Sequence, residues 1–208
     1  MARSNGLFGE FSGKIGNLVS YQLSGKTVVR RIGKSNKPPT LAQLAVRQRV
    51  AIVTKFLRSA LPVINAGFEF EVAGTTKHQH NAAVSVNVKC ATQGEYPNIN
   101  LDYSKVVVSM GALAPALAPT AVLTGSLLTL TWAADADMDW GIKNDRALLL
   151  VYCPELDKAV YVLSGARRST GHNEIELPVN FIGKELHCYV AFKSSNGKMV
   201  SDSVWVQY

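Results

Sequence analysis

The chain has 208 residues, 47% of them hydrophobic and 18% charged, which is ample for a packed core and excludes a chain that is disordered overall. It contains no run of about eighteen apolar residues, excluding a membrane-spanning helix, and its start, MARSNGLFGEFSG, lacks the continuous apolar core of a secretory signal. The net charge of +7 is uneven: residues 1–60 carry eleven basic side chains and one acidic, a net +10, while residues 61–208 carry eleven basic and fourteen acidic, a net −3.

The cationic end contains SGKIGNLVSYQLSGKTVVRR, residues 12–31, in which Gly25-Lys26-Thr27 has the ending of a phosphate-binding loop. That reading fails twice. The glycine required five residues before Gly25 is Ser20, and the residues after Lys26 are β-branched and strand-like, where a helix N-terminus must face the phosphates. The spacing of Ile15, Leu18, Val19, Tyr21, Leu23, Val28 and Val29 predicts two short strands with Ser24-Gly25-Lys26 as their turn, and Gly13 and Gly16 as bends or bulges in the first.

Residues 33–39 form a polar connector closed by Pro38-Pro39, and Thr40 is placed to cap a helix. From Leu41 the residues Leu44, Ala45, Ile52, Phe56 and Ala60 follow helical spacing, while Gln43, Arg47, Thr54 and Arg58 line another face. Pro62 should end or kink this helix. Residues 67–72 alternate like a short strand, and residues 77–91 suit a helix through Ala82, Ala83, Val86 and Cys90 or a strand through Val84, Val86 and Val88, the helix being preferred. His78 and His80 are two histidines without a third ligand and read as surface or capping groups.

Beyond Tyr96-Pro97 the pattern is all-β. Seven runs, at residues 105–109, 126–132, 147–153, 158–163, 174–177, 186–192 and 200–206, recur with turn residues between them, and Asn196-Gly197 is a hairpin signal. Residues 111–119, punctuated by Pro115 and Pro119, read as an edge connection, and Trp132 as the core plug. One early tryptophan followed by hairpins resembles a fibronectin type III or immunoglobulin-like sandwich, a fold that hosts too many roles to name one.

No cofactor fingerprint or nucleophile motif is present. Asp135, Asp137 and Asp139 alternate as calcium ligands do, but the loop glycine would fall at Trp140 and the terminal glutamate at Arg146, so a solvated loop is favoured over a calcium site. Glu174 and Glu176 share one strand face without forming a glycosidase pair. Cys90, Cys153 and Cys188, an odd count without a CxxC pair, suit buried reduced thiols.

The pattern Gly13-Lys14-x-Gly16-Asn17-x-Val19-x-Tyr21, Gly25-Lys26-x-Val28-Val29-Arg30 and Thr40-x-x-Gln43-x-x-x-Arg47 continues in Asn81-Ala82, Asn87, Tyr96-Pro97, Asp102 to Lys105 and Gly111. Together these resemble a family of uncharacterised proteins from Bacteroidetes over most of residues 6–113. The resemblance implies a bacterial or phage-like setting and no catalytic residue.

The expected fold is α+β: a basic hairpin-and-helix module over residues 1–100 and an antiparallel immunoglobulin-like sandwich over residues 101–208. The expected role is a non-enzymatic structural protein that builds an ordered homomeric assembly in the cytoplasm or a phage-like particle. Nucleic-acid binding by the basic module, with Phe8, Phe11 or Tyr21 as stacking groups, is the alternative. A surface adhesin or carbohydrate-binding module is a third, and it would require export. The contact residues expected in the first two cases are Lys14, Tyr21, Lys26, Val28, Arg30, Arg31, Lys34, Lys37 and Arg47. No cofactor, metal or small-molecule substrate is expected.

Overall fold

The computed structural model describes residues 3–4, 11–23, 25–34, 36–134 and 138–207. The chain divides into two compact units, residues 1–40 and residues 41–208. The helices expected to join the hairpin therefore belong to the same unit as the later strands.

The first unit is an antiparallel meander of β1 (Arg3–Ser4), β2 (Phe11–Ile15), β3 (Leu18–Leu23) and β4 (Lys26–Arg31), in that order across the sheet. What the sequence suggests is one strand, bent at Gly13 and Gly16, is two. Ile15 pairs with Leu18, so the chain reverses over Gly16-Asn17, and Gly16 takes φ +55°, a value that favours glycine in a two-residue hairpin loop. Gly13 lies inside β2. The second reversal falls at residues 24–25, as expected from Ser24-Gly25-Lys26, although residue 24 itself lies outside the described residues.

The second unit opens with α1 (Leu41–Ser59) and α2 (Leu61–Gly67), whose axes bend by 93°. Pro62 stands in the first turn of α2, where its missing N–H costs no helical hydrogen bond, so it starts a new helix after the break. Residues 68–74 are turns and not the expected strand. Gly67 explains part of this: a Cβ there would lie 2.4 Å from the Val108 carbonyl oxygen, so the α2 terminus packs directly on backbone. α3 (Gln79–Cys90) is the expected helix, and the two-residue strands β5 (Thr92–Gln93) and β6 (Asn100–Leu101) pair after it.

The remaining strands are β7 (Thr120–Thr124), β8 (Leu127–Thr131), β9 (Arg146–Cys153), β10 (Lys158–Val162), β11 (His172–Glu176), β12 (His187–Lys193) and β13 (Val204–Val206), with a short α4 (Trp140–Lys143) before β9. They form two antiparallel sheets, β10-β9-β12-β13 and β11-β8-β7. Alternate residues of β9 and β12 serve two cores. Leu148, Leu150, Tyr152, Tyr189 and Ala191 pack with Val53, Phe56, Leu57 and Ile64 of the helices. Leu149, Val151, Cys153, Cys188, Val190 and Phe192 pack with Leu128, Leu130, Trp132 and Ile175 of the three-stranded sheet. The fold is α+β, with helices covering one face of the four-stranded sheet and the second sheet covering the other.

Residues 105–109 are not a strand. Val106 and Val108 are buried, but the backbone of Val107 is held by a side chain: Asn87 Nδ2 donates to its carbonyl at 2.8 Å and its N–H donates to Asn87 Oδ1 at 2.8 Å. The first strand of the three-stranded sheet is instead β7, just past Pro119.

Candidate functional site

The cationic surface is organised by the register of β2, β3 and β4. Lys14 pairs with Val19 and Val19 with Arg30; Tyr21 pairs with Val28 and Leu23 with Lys26. Directly paired residues project from the same face of a sheet. Five of the expected contact residues, Lys14, Tyr21, Lys26, Val28 and Arg30, therefore share one face, and Arg31 joins Ile15 and Leu18 on the other. The Arg30 guanidinium sits over the Tyr21 ring, 5.6 Å from its centroid.

At the open end of this hairpin a hollow of about 480 Å³ is lined by Lys14, Gly16, Asn17, Arg31, Ile32, Gly33 and Lys34, and the Ile32 N–H closes it by donating to the Asn17 carbonyl at 2.7 Å. Lys34 and Lys37 lie in the connector, both exposed. Gly25-Lys26-Thr27 is the end of a hairpin and the start of β4, and the Thr27 hydroxyl accepts from Gln22 Nε2 across the strands at 3.1 Å. No helix follows it, so the context of a phosphate loop is absent.

The described residues of the first unit form almost no interior. Among its described residues Ser20 is the one buried side chain, and its hydroxyl has no hydrogen-bond partner. Ile15, Leu18, Leu23 and Val29 are 44 to 58% exposed.

Arg47 belongs to the second unit. It lines an open groove of about 840 Å³ along α1 with Val46, Val50, Thr54, Lys55 and Arg58, where Lys55 pairs with Asp157 at 3.4 Å. The sequence pattern points to the cations of this face and misses its apolar members, because Val46 and Val50 fall between the basic positions and are exposed. Leu41, where the expected stripe begins, is exposed in the first turn, whereas Phe56 and Ala60 of that stripe are buried and Val53 and Leu57 are buried with them.

Other titratable groups serve packing. Arg168 Nε lies 3.6 Å from Asp145 Oδ2, its guanidinium covers the Phe192 ring at 3.9 Å, and Arg168 Nη2 donates to the Ala114 carbonyl at 2.6 Å. Burial raises the Asp145 pKa, and Arg168 opposes the shift. Trp132, expected as the core plug, is 5% exposed, donates its indole N–H to the Arg168 carbonyl at 2.7 Å and meets Phe192 edge-on. Burial pushes the Cys188 thiol up to about 12; Cys153 is also buried, whereas Cys90, expected to be buried, is exposed.

Among the described residues no three His, Cys, Asp or Glu side chains are grouped to hold a metal ion. His78 stands at the N-terminus of α3, and Asp139 Oδ1 accepts from the Trp140 N–H at 3.2 Å; Asp135 and Asp137 of the acidic loop, like Phe8, lie outside the described residues. No single helix among the described residues is long and apolar enough to cross a membrane. Glu174 and Glu176 share the outer, exposed face of β11, as a spacing of two requires.

A family model matches residues 10–207, and the chain belongs to that family, DUF6266, a family of unknown function. No curated protein and no solved structure shows significant similarity to it.

Proposed function

We propose that this member of the DUF6266 family is a non-enzymatic structural protein that builds an ordered homomeric assembly through its N-terminal sheet. One observation carries the reading: the sheet of residues 11–31 has no buried apolar side chain among its described residues, yet it presents large apolar groups on both faces. Small sheets are marginal in water unless a face is covered. Exposed apolar rows rimmed by charge are the composition of a contact surface. A partner subunit that covers one face supplies the missing interior.

Light scattering on the full chain tests this. The wild type is expected to be larger than one 22.5 kDa chain. The Ile32 N–H bonds to Asn17, and in an antiparallel pair every second residue pair exchanges hydrogen bonds, so Val28 points its N–H at β3. Val28→Pro removes that bond and dismantles the hairpin. It should reduce the assembly while leaving the thermal transition of residues 41–208 intact. A wild type that stays monomeric at high concentration, in low and high salt, defeats the reading.

Nucleic-acid binding is the second reading, and the hollow bounded by Lys14, Arg31 and Lys34 favours it, since clustered cations neutralise phosphates.

A further inference from the structure

We propose that the basic face of the N-terminal sheet docks on the outer face of the β11-β8-β7 sheet in a second copy of this chain. This rests on the assembly reading above and identifies the surface that receives the sheet.

The receiving face is set by register. Val122, Thr129 and Glu174 lie in one row, and Thr124, Leu127 and Glu176 in the next, while Leu128, Leu130 and Ile175 point the other way into the core. Val122 is 57% and Leu127 37% exposed. The face is thus a small apolar centre with two carboxylates along one edge, about 7 Å apart for a spacing of two residues. The basic face carries the opposite charge around an apolar row: Tyr21 and Val28 lie between the row of Lys14, Val19 and Arg30 on one side and the row of Leu23 and Lys26 on the other. Rows on the two sheets have the same pitch.

Charge favours this pairing over the obvious alternative. Among the described residues none of Lys14, Lys26, Arg30, Glu174 and Glu176 is in an ion pair. Joining two β4 edges about their Val28-Val29 centre would set Lys26 opposite Arg31 on both sides, and like charges opposed across strands destabilise the pair. Docking a basic face on an acidic one removes that repulsion. Because both faces belong to one chain and differ, the contact is head-to-tail, and it propagates into a ring or a filament.

The experiment compares the full chain with Glu174→Lys/Glu176→Lys and with Lys14→Glu/Arg30→Glu, by light scattering and thermal melting. All four positions are exposed, so both doubles should melt like the wild type. Each double alone should fall to the mass of one chain, and an equimolar mixture should regain the wild-type mass because the reversed faces again complement. If Glu174→Lys/Glu176→Lys assembles as the wild type does, or the mixture stays monomeric, the receiving face is wrong although assembly stands. A wild type that is monomeric overturns assembly itself, including the case in which the two faces meet within one chain. A wild type that enlarges only with added nucleic acid, and loses this with Lys14→Glu/Arg30→Glu alone, gives the basic face to nucleic acid.

Discussion

The chain builds two four-stranded antiparallel sheets that differ in what covers them. In β10-β9-β12-β13 the central strands are buried on both faces: seven of the eight residues of β9 are buried. In β1-β2-β3-β4 the described side chains are exposed or half-buried except Ser20. Both sheets carry apolar residues on both faces, so composition alone does not separate them. Helices and a second sheet pack on β9 and β12, and neither core includes a described residue of the first unit. A sheet buried on both faces contributes stability, whereas apolar side chains that stay exposed contribute little of it.

Fragments give the largest effect. Residues 41–208 keep both cores and should melt cooperatively, within a few degrees of the full chain, and stay monomeric. Residues 101–208 lack α1, α2 and α3, which uncovers Leu148, Leu150, Tyr152 and Tyr189, and should show no cooperative transition. A cooperative melt from residues 101–208 would break the comparison, since the sandwich would then carry its own stability.

Point substitutions sharpen it. Trp132→Ala removes a 5% exposed side chain that also donates to the Arg168 carbonyl, and should cost about 3 to 5 kcal/mol in denaturant titration. Val29→Ala, at a position 50% exposed in the first sheet, should change the same transition by less than about 0.5 kcal/mol. Comparable costs at the two positions would mean that the first sheet shares in the cooperative core.

Much of this contrast was written in the sequence, though not all of it was legible. The alternation of HNEIE in β11 marks a strand with one wet face, and it places Glu174 and Glu176 outward. The unbroken apolar run ALLLVYC in β9 marks a strand covered on both sides, which ties the helices to the sheet; a one-core sandwich leaves that signal unused. Residues 105–109 look like a strand because they are apolar and β-branched, yet their hydrogen bonds go to Asn87 and Ser203, the latter 95 residues away from Val108, and no local pattern records such partners. In the candidate site the cations are visible as residues, but their common face is not. Lys14 and Tyr21 differ in parity, and only the two-residue reversal at Gly16-Asn17 brings them to the same side.

The smallest expected effect concerns pH and again distinguishes the regions, because all four histidines lie beyond residue 40. His187, at the start of β12, is 7% exposed and stacks on Tyr103 with ring centroids 4.0 Å apart. Burial lowers its pKa from the ordinary value of 6.5, and Glu185, 3.4 Å from Nε2, opposes the shift. With the folded-state pKa below the unfolded one, the unfolded chain binds the proton more tightly, so stability is complete above about pH 6.5 and declines as pH falls through that value. The melting temperature should therefore drop between pH 7 and pH 5, by less in His187→Phe, which keeps the stack without the titrating nitrogen. Residues 41–208 should show the same difference between wild type and variant as the full chain. If removing residues 1–40 abolishes the difference, the first sheet is coupled to this core, and the separation of the two regions does not hold.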